Sequence, residues 1–105
     1  TSKKAFPGST PYSATKAGVT QMGKLMAREW ARKGINVNVI EPGYFPTEIT
    51  GDLMESEMGG LLLKSFVRRR WCEIPAMDVP LLYLCSDLSR YVTGSTITVD
   101  DGQLL

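Results

Sequence analysis

Tyr12 and Lys16 stand four residues apart in the stretch Tyr12-Ser13-Ala14-Thr15-Lys16, a separation of about one helical turn. At that spacing a phenol and an ammonium share one face of a helix. A free tyrosine titrates near ~10 and exchanges protons poorly at neutral pH. A fixed positive charge within about 4–6 Å favours the phenolate and lowers that pKa. The phenol can then give a proton to a carbonyl oxygen, or take one from an alcohol, as a general acid or base. Exposed helices also carry Tyr and Lys at this spacing by chance, so the pair draws its meaning from the residues around it.

Those residues describe a helix, a strand and a loop. Residues 1–11 are rich in Ser, Thr, Gly and Pro and read as a loop, with Pro11 suited to a first helical turn. From Tyr12 to Lys33 the spacing of Val19, Met22, Met26 and Trp30 predicts a helix, and Gly34 is its stop. Ile35–Ile40 is short and rich in β-branched residues and reads as a buried strand. The loop Glu41-Pro42-Gly43-Tyr44-Phe45-Pro46-Thr47 then leaves the carboxyl end of a parallel strand, the edge where open α/β sheets bind ligands.

Beyond the loop, residues 48–70 suggest one or two amphipathic helices interrupted at Gly59-Gly60. Arg68-Arg69-Arg70 reads as a solvated charge run, with anion binding the sharper alternative. A helix over Asp78–Asp87 has Pro80 in its first turn and Leu81, Leu82, Leu84 and Cys85 as apolar core. Ser95–Asp100 reads as a second strand ending in an Asp101-Gly102 turn.

Composition narrows the chemistry further. The 105 residues are 43% hydrophobic and 22% charged, as in one globular domain. A net charge of +1 recommends neither nucleic acid nor a membrane surface as partner. No apolar run approaches the roughly 18 residues of a membrane span. The chain has no histidine, which rules out a Ser-His-Asp or Cys-His nucleophile among these residues and removes the commonest transition-metal ligand. No metal site is expected. Cys72 and Cys85 form no C-x-x-C motif or disulfide framework, so free thiols in a reducing compartment, the cytoplasm, are expected.

Four segments in order, Y-S-A-T-K-A-G-V, I-N-V-N-V-I, E-P-G-Y-F-P-T and Y-L-C-S-D-L-S-R-Y-V-T-G-S-T-I-T-V-D-D-G, make the chain resemble the C-terminal part of a short-chain dehydrogenase/reductase. The resemblance covers nearly the whole chain and is weakest over residues 51–70. It implies an α/β fold, the C-terminal portion of a Rossmann-like doubly wound parallel sheet. Residues 1–105 would be one part of a single NAD(P)-binding domain whose dinucleotide-binding half is absent. The implied activity interconverts a ketone and a secondary alcohol with NAD or NADP. Tyr12 would be the general acid/base, and Lys16 would lower its pKa and hold the cofactor ribose. Pro42, Gly43, Phe45 and Thr47 match the loop that holds the nicotinamide end. A small-molecule carbonyl or alcohol substrate and a homodimer or homotetramer of the full-length protein are implied as well.

The chain departs from the family pattern in three places. The family's carbonyl-polarising serine usually has twelve residues between it and the tyrosine, whereas Ser2 has nine. Either the loop is shortened and Ser2 keeps the role, the reading preferred, or the serine is not among these residues. Cys72 stands where glycine is common, and Asp101 replaces the first glycine of a V-D-G-G ending. The family's Gly-rich pyrophosphate loop is also not among these residues. The alternative expectation is therefore a catalytically inactive, truncated product that acts only by packing on a partner.

Overall fold

The computed structural model describes residues 10–45 and 51–105, without the side chains of 10–13 and 53. The long helix α1 runs Thr10–Trp30 and tightens into a 3-10 turn over Ala31–Lys33. Gly34 ends it in the left-handed conformation at φ 76°, where a side chain would be strained. Small residues set how α1 docks. A Cβ at Gly23 would run into the side chain of Val39, and Ala27 is buried. Val19, Met22 and Leu25 lie on the outer face, each at least half exposed.

Two strands follow, β1 at Val39–Pro42 and β2 at Thr96–Val99. They pair in parallel, with Val39 opposite Thr96 and Pro42 opposite Val99. The parallel pair and its helical crossover form the α/β arrangement that the sequence implies. β1 starts four residues later than expected, because residues 36–38 are bonded to a turn instead of a strand. The Asn36 amide donates to Arg90 O at 3.0 Å, and that of Asn38 donates to Val92 O at 2.9 Å. Asn38 Oδ1 accepts from Ser95 N at 3.1 Å, and Val37 N donates to Thr93 Oγ1 at 3.1 Å. Glu41 and Pro42, expected in the loop, are strand residues because β2 supplies partners for them.

The crossover carries α2 (Gly51–Glu55), α3 (Glu57–Ser65) and α4 (Asp78–Leu84). The break between α2 and α3 falls at Ser56, and Gly59-Gly60 lies inside α3. Ser56 caps α3 by accepting a bond from Gly59 N at 3.1 Å, and that cap settles the boundary. α4 contacts the flanking 3-10 turns at Ile74–Met77 and Asp87–Ser89. Leu81, Leu82 and Cys85 are accordingly exposed, against the core role expected of them. The buried apolar residues are instead Ala27, Phe45, Leu62, Phe66 and Cys72.

Candidate functional site

The direction of α1 against β1 brings the site residues together. Gly23 lies on Val39, and Thr20 Oγ1 donates to Glu41 Oε1 at 2.7 Å. Moving back along the helix thus means moving forward along the strand. A helix rises about 1.5 Å per residue and a strand about 3.3 Å. Lys16 is one turn back from Thr20 along α1, in the direction of the carboxyl end of β1. Lys16 is half-buried and shares its helix face with Thr20, Gly23 and Ala27. Tyr12 is one turn earlier in α1, and its side chain lies outside the description. Ser2 and Thr47 lie outside the described residues; Pro42, Gly43 and Phe45 follow one another at the carboxyl end of β1, and Lys16 lies on α1 one turn before Thr20.

The loop after β1 is fixed from within the chain. Gly43 N donates to Val99 O at 2.9 Å, and Cys72 N donates to Tyr44 O at 3.0 Å. Tyr44 N donates to Gln103 Oε1 at 2.7 Å. Phe45 is buried, and the Tyr44 ring stacks on Phe66 with centroids 5.9 Å apart. Trp71 meets both rings edge-on. Pro42 has no N–H and that of Gly43 is committed, so these two residues present a shaped edge and no backbone donor.

A cavity of about 400 Å³ opens at the end of β2 between Trp71, Glu73, Val99 and Asp101. Lys16, Pro42, Gly43 and Phe45 do not line it. Burial pushes the thiol of Cys72 up, which makes it a poor nucleophile. Among the described residues no cluster of His, Cys, Asp or Glu could hold a metal ion, and no helix is long and apolar enough to cross a membrane.

The arginine run is paired as well as exposed. Arg68 Nη1 lies 3.1 Å from Asp101 Oδ1, and Arg70 meets both carboxylate oxygens through Nε and Nη2. Asp101 has φ 53°, a left-handed conformation at the position where the family pattern has glycine. The hydrogen bond from Arg70 holds its carboxyl below the usual carboxylate range, helped by the charges of Arg70 and Arg68. A carboxyl lowered in the fold stabilises above its unfolded pKa of ~3.9 and loses that contribution as pH falls through the folded value. Asp101→Asn, which tolerates the same backbone, is expected to unfold at a lower temperature than wild type at neutral pH. The gap should close below about pH 4. The arginine side chains are 65% and 62% exposed, so the effect is small and shrinks in salt. Thermal unfolding of both proteins across pH checks it; a gap that persists unchanged in acid would detach the carboxylate from the effect.

Sequence reasoning missed Thr20, Tyr44 and Gln103. Thr20 had a usable signal, four residues after Lys16 on the same helix face. Gln103 had none, because its partners are far away in the chain.

A parallel strand pair joined by a helical crossover, with α1 packed on the first strand, is part of an α/β fold. The enoyl-(acyl carrier protein) reductase family model matches residues 1–103, and the chain belongs to the short-chain dehydrogenase/reductase family. It is 42% identical over 98 residues to an uncharacterised short-chain type dehydrogenase/reductase of Sinorhizobium fredii, covering 93% of this chain and 39% of that protein. It is 37% identical over 102 residues to gluconate 5-dehydrogenase of Gluconobacter oxydans, covering 96% and 40%. A gluconate 5-dehydrogenase of Burkholderia cenocepacia, solved with NADP and tartrate, superposes with a TM-score of 0.86 at 36% identity, covering 95% of this chain and 40% of that one. The chain thus spans about two-fifths of the length of these relatives.

Proposed function

We propose that this chain carries the proton-transfer half of an NAD- or NADP-dependent oxidoreductase that interconverts a ketone and a secondary alcohol. The observation that supports the reading is the antiparallel run of α1 against β1, with Thr20, one turn after Lys16, bonded to Glu41 in the strand that leads into the Pro42–Gly43 loop. Tyr12 gives a proton to the carbonyl oxygen in reduction and takes it back in oxidation. Lys16 lowers the pKa of that phenol and donates to the ribose hydroxyls of the cofactor. Pro42, Gly43 and Phe45 form the edge on which the nicotinamide end rests, and Thr47 closes the same loop. Ser2 polarises the substrate carbonyl. The nicotinamide, when bound, supplies the hydride chemistry, and the chain supplies position and the proton. Gluconate is the first substrate to test, since two of the relatives above are gluconate 5-dehydrogenases.

The outer face of α1 favours a second element of the proposal. Val19, Met22 and Leu25 form an exposed apolar stripe, which we assign to contact with another copy in a homodimer or homotetramer. A catalytically silent chain could use the same stripe to pack on a relative.

Lys16→Met in the full-length protein tests the enzyme reading. Because Lys16 is assigned to both phenol and ribose, the variant should bind cofactor more weakly. Its pH–rate profile should also move upward, toward the free tyrosine value near ~10. A normal affinity with an unmoved profile would return Lys16 to the role of an ordinary helix lysine.

A further inference from the structure

The loop assigned to the nicotinamide is held by a side chain 59 residues further along the chain. Gln103 is 1% exposed, and both ends of its amide are engaged. Its Oε1 accepts from Tyr44 N at 2.7 Å. Its Nε2 faces Tyr44 O at 3.4 Å, Arg70 O at 3.3 Å and Cys72 Sγ at 3.2 Å. This orientation of the amide is dictated chemically. The Tyr44 N–H requires an acceptor, and two carbonyl oxygens require donors, so reversing the amide would oppose like groups at three contacts.

We propose that Gln103 is a positioning residue for the Pro42–Phe45 loop: by clamping both polar groups of the Tyr44 peptide, it sets the edge on which the nicotinamide end of the dinucleotide is seated. The inference rests on the cofactor reading of that loop. Few side chains could take the place of Gln103. Methionine matches its length but neither donates nor accepts these bonds, and an ionised glutamate would set lone pairs against the two carbonyls. Gly43 leaves the space the amide occupies, since a Cβ there would strike Gln103 Oε1. Tyr44 lies between Gly43 and Phe45, so slack at its peptide passes directly to both. The other bonds of Gln103 reach the segment after α3, where Trp71 packs on the Tyr44 ring.

The test compares wild type, Gln103→Met and Gln103→Glu in the full-length protein, with Lys16→Met as a control. Titration calorimetry with NAD and NADP separately, and amide exchange at Tyr44 without cofactor, are the readouts. Gln103→Met should speed Tyr44 exchange and weaken the preferred cofactor about tenfold, raising its KM more than it lowers kcat. Gln103→Glu carries a conditional rescue, because a protonated carboxyl offers one donor and one acceptor. Burial raises that carboxyl above its ordinary ~4.3, and the nearby Asp100 and Asp101 raise it further. The Arg70 guanidinium opposes them, and Cys72 beside the site stays a neutral thiol. Affinity of this variant should approach wild type in acid and fall as pH rises, a trend absent from Gln103→Met. Should Gln103→Met fail to fold, the glutamate variant in acid still decides. Variants that melt earlier but bind cofactor like wild type at every pH would make Gln103 a purely structural residue and overturn the proposal. If Lys16→Met also binds normally, the cofactor reading falls with it; if Lys16→Met alone binds weakly, only the Gln103 role is lost.

Discussion

Replacing Tyr12 with phenylalanine is expected to lower turnover of the full-length enzyme by about 10²–10⁴-fold, the loss typical of a missing general acid or base. The ring stays, so the helix and its packing keep their shape, and the proton that must reach the carbonyl oxygen has no donor. Cofactor affinity should hardly change, because the proposal assigns those contacts to Lys16 and the Pro42–Phe45 loop. The discriminating measurement is kcat beside a cofactor dissociation constant in the same preparation. Near-normal turnover would remove Tyr12 from the chemistry. A parallel loss of cofactor binding would mean that its hydroxyl holds the dinucleotide more than it moves protons.

The second large effect falls on Gly43. Its backbone is not among the left-handed glycines of the described chain, which are Gly34, Gly94 and Gly102, so an alanine could adopt the same angles. Space forbids it. An added methyl would sit 2.7 Å from Asp100 Cβ and 2.8 Å from Asp100 Cα, besides striking the Gln103 amide. Backbone at the end of a paired strand cannot step aside as a flexible side chain would. Overpacking of this kind costs about 1–3 kcal/mol, and losing the Tyr44 bond to Gln103 adds about 1 kcal/mol. Gly43→Ala should therefore destabilise the protein by about 2–4 kcal/mol, read as a lower denaturant midpoint without cofactor present. An unmoved midpoint would show that the strand ends are not so close.

That glycine also shows what the sequence could and could not disclose. In the sequence, Pro42 and Gly43 stand out only as a match to a loop that holds a nicotinamide end. In the fold the missing Cβ of Gly43 is first required by Asp100 and Gln103. The one-turn spacing of Tyr12 and Lys16 within one helix was legible because it is local. The helix was legible too, from Val19, Met22, Met26 and Trp30, yet its packed face is the one with Gly23 and Ala27, where small residues let backbones approach. The start of β1 was obscured by Asn36 and Asn38, whose amides replace strand pairing with bonds to the turn before β2. The apolar run Leu81-Leu82 signals burial by composition alone, and composition does not say which neighbour covers it.

The clamp on Tyr44 also has a consequence in time. Gln103 is synthesised 59 residues after the peptide it holds. At a translation rate of about 5–20 residues per second, the turn after β1 waits roughly 3–12 seconds for its lock. For most of that interval β1 has no β2 beside it, and the bonds from Gly43 N to Val99 and from Tyr44 N to Gln103 cannot form. The nascent chain therefore presents β1 with the edge that β2 later covers still open, after α1 is complete. That strand is the natural point of engagement for a chaperone, and of mispairing when several ribosomes translate one message.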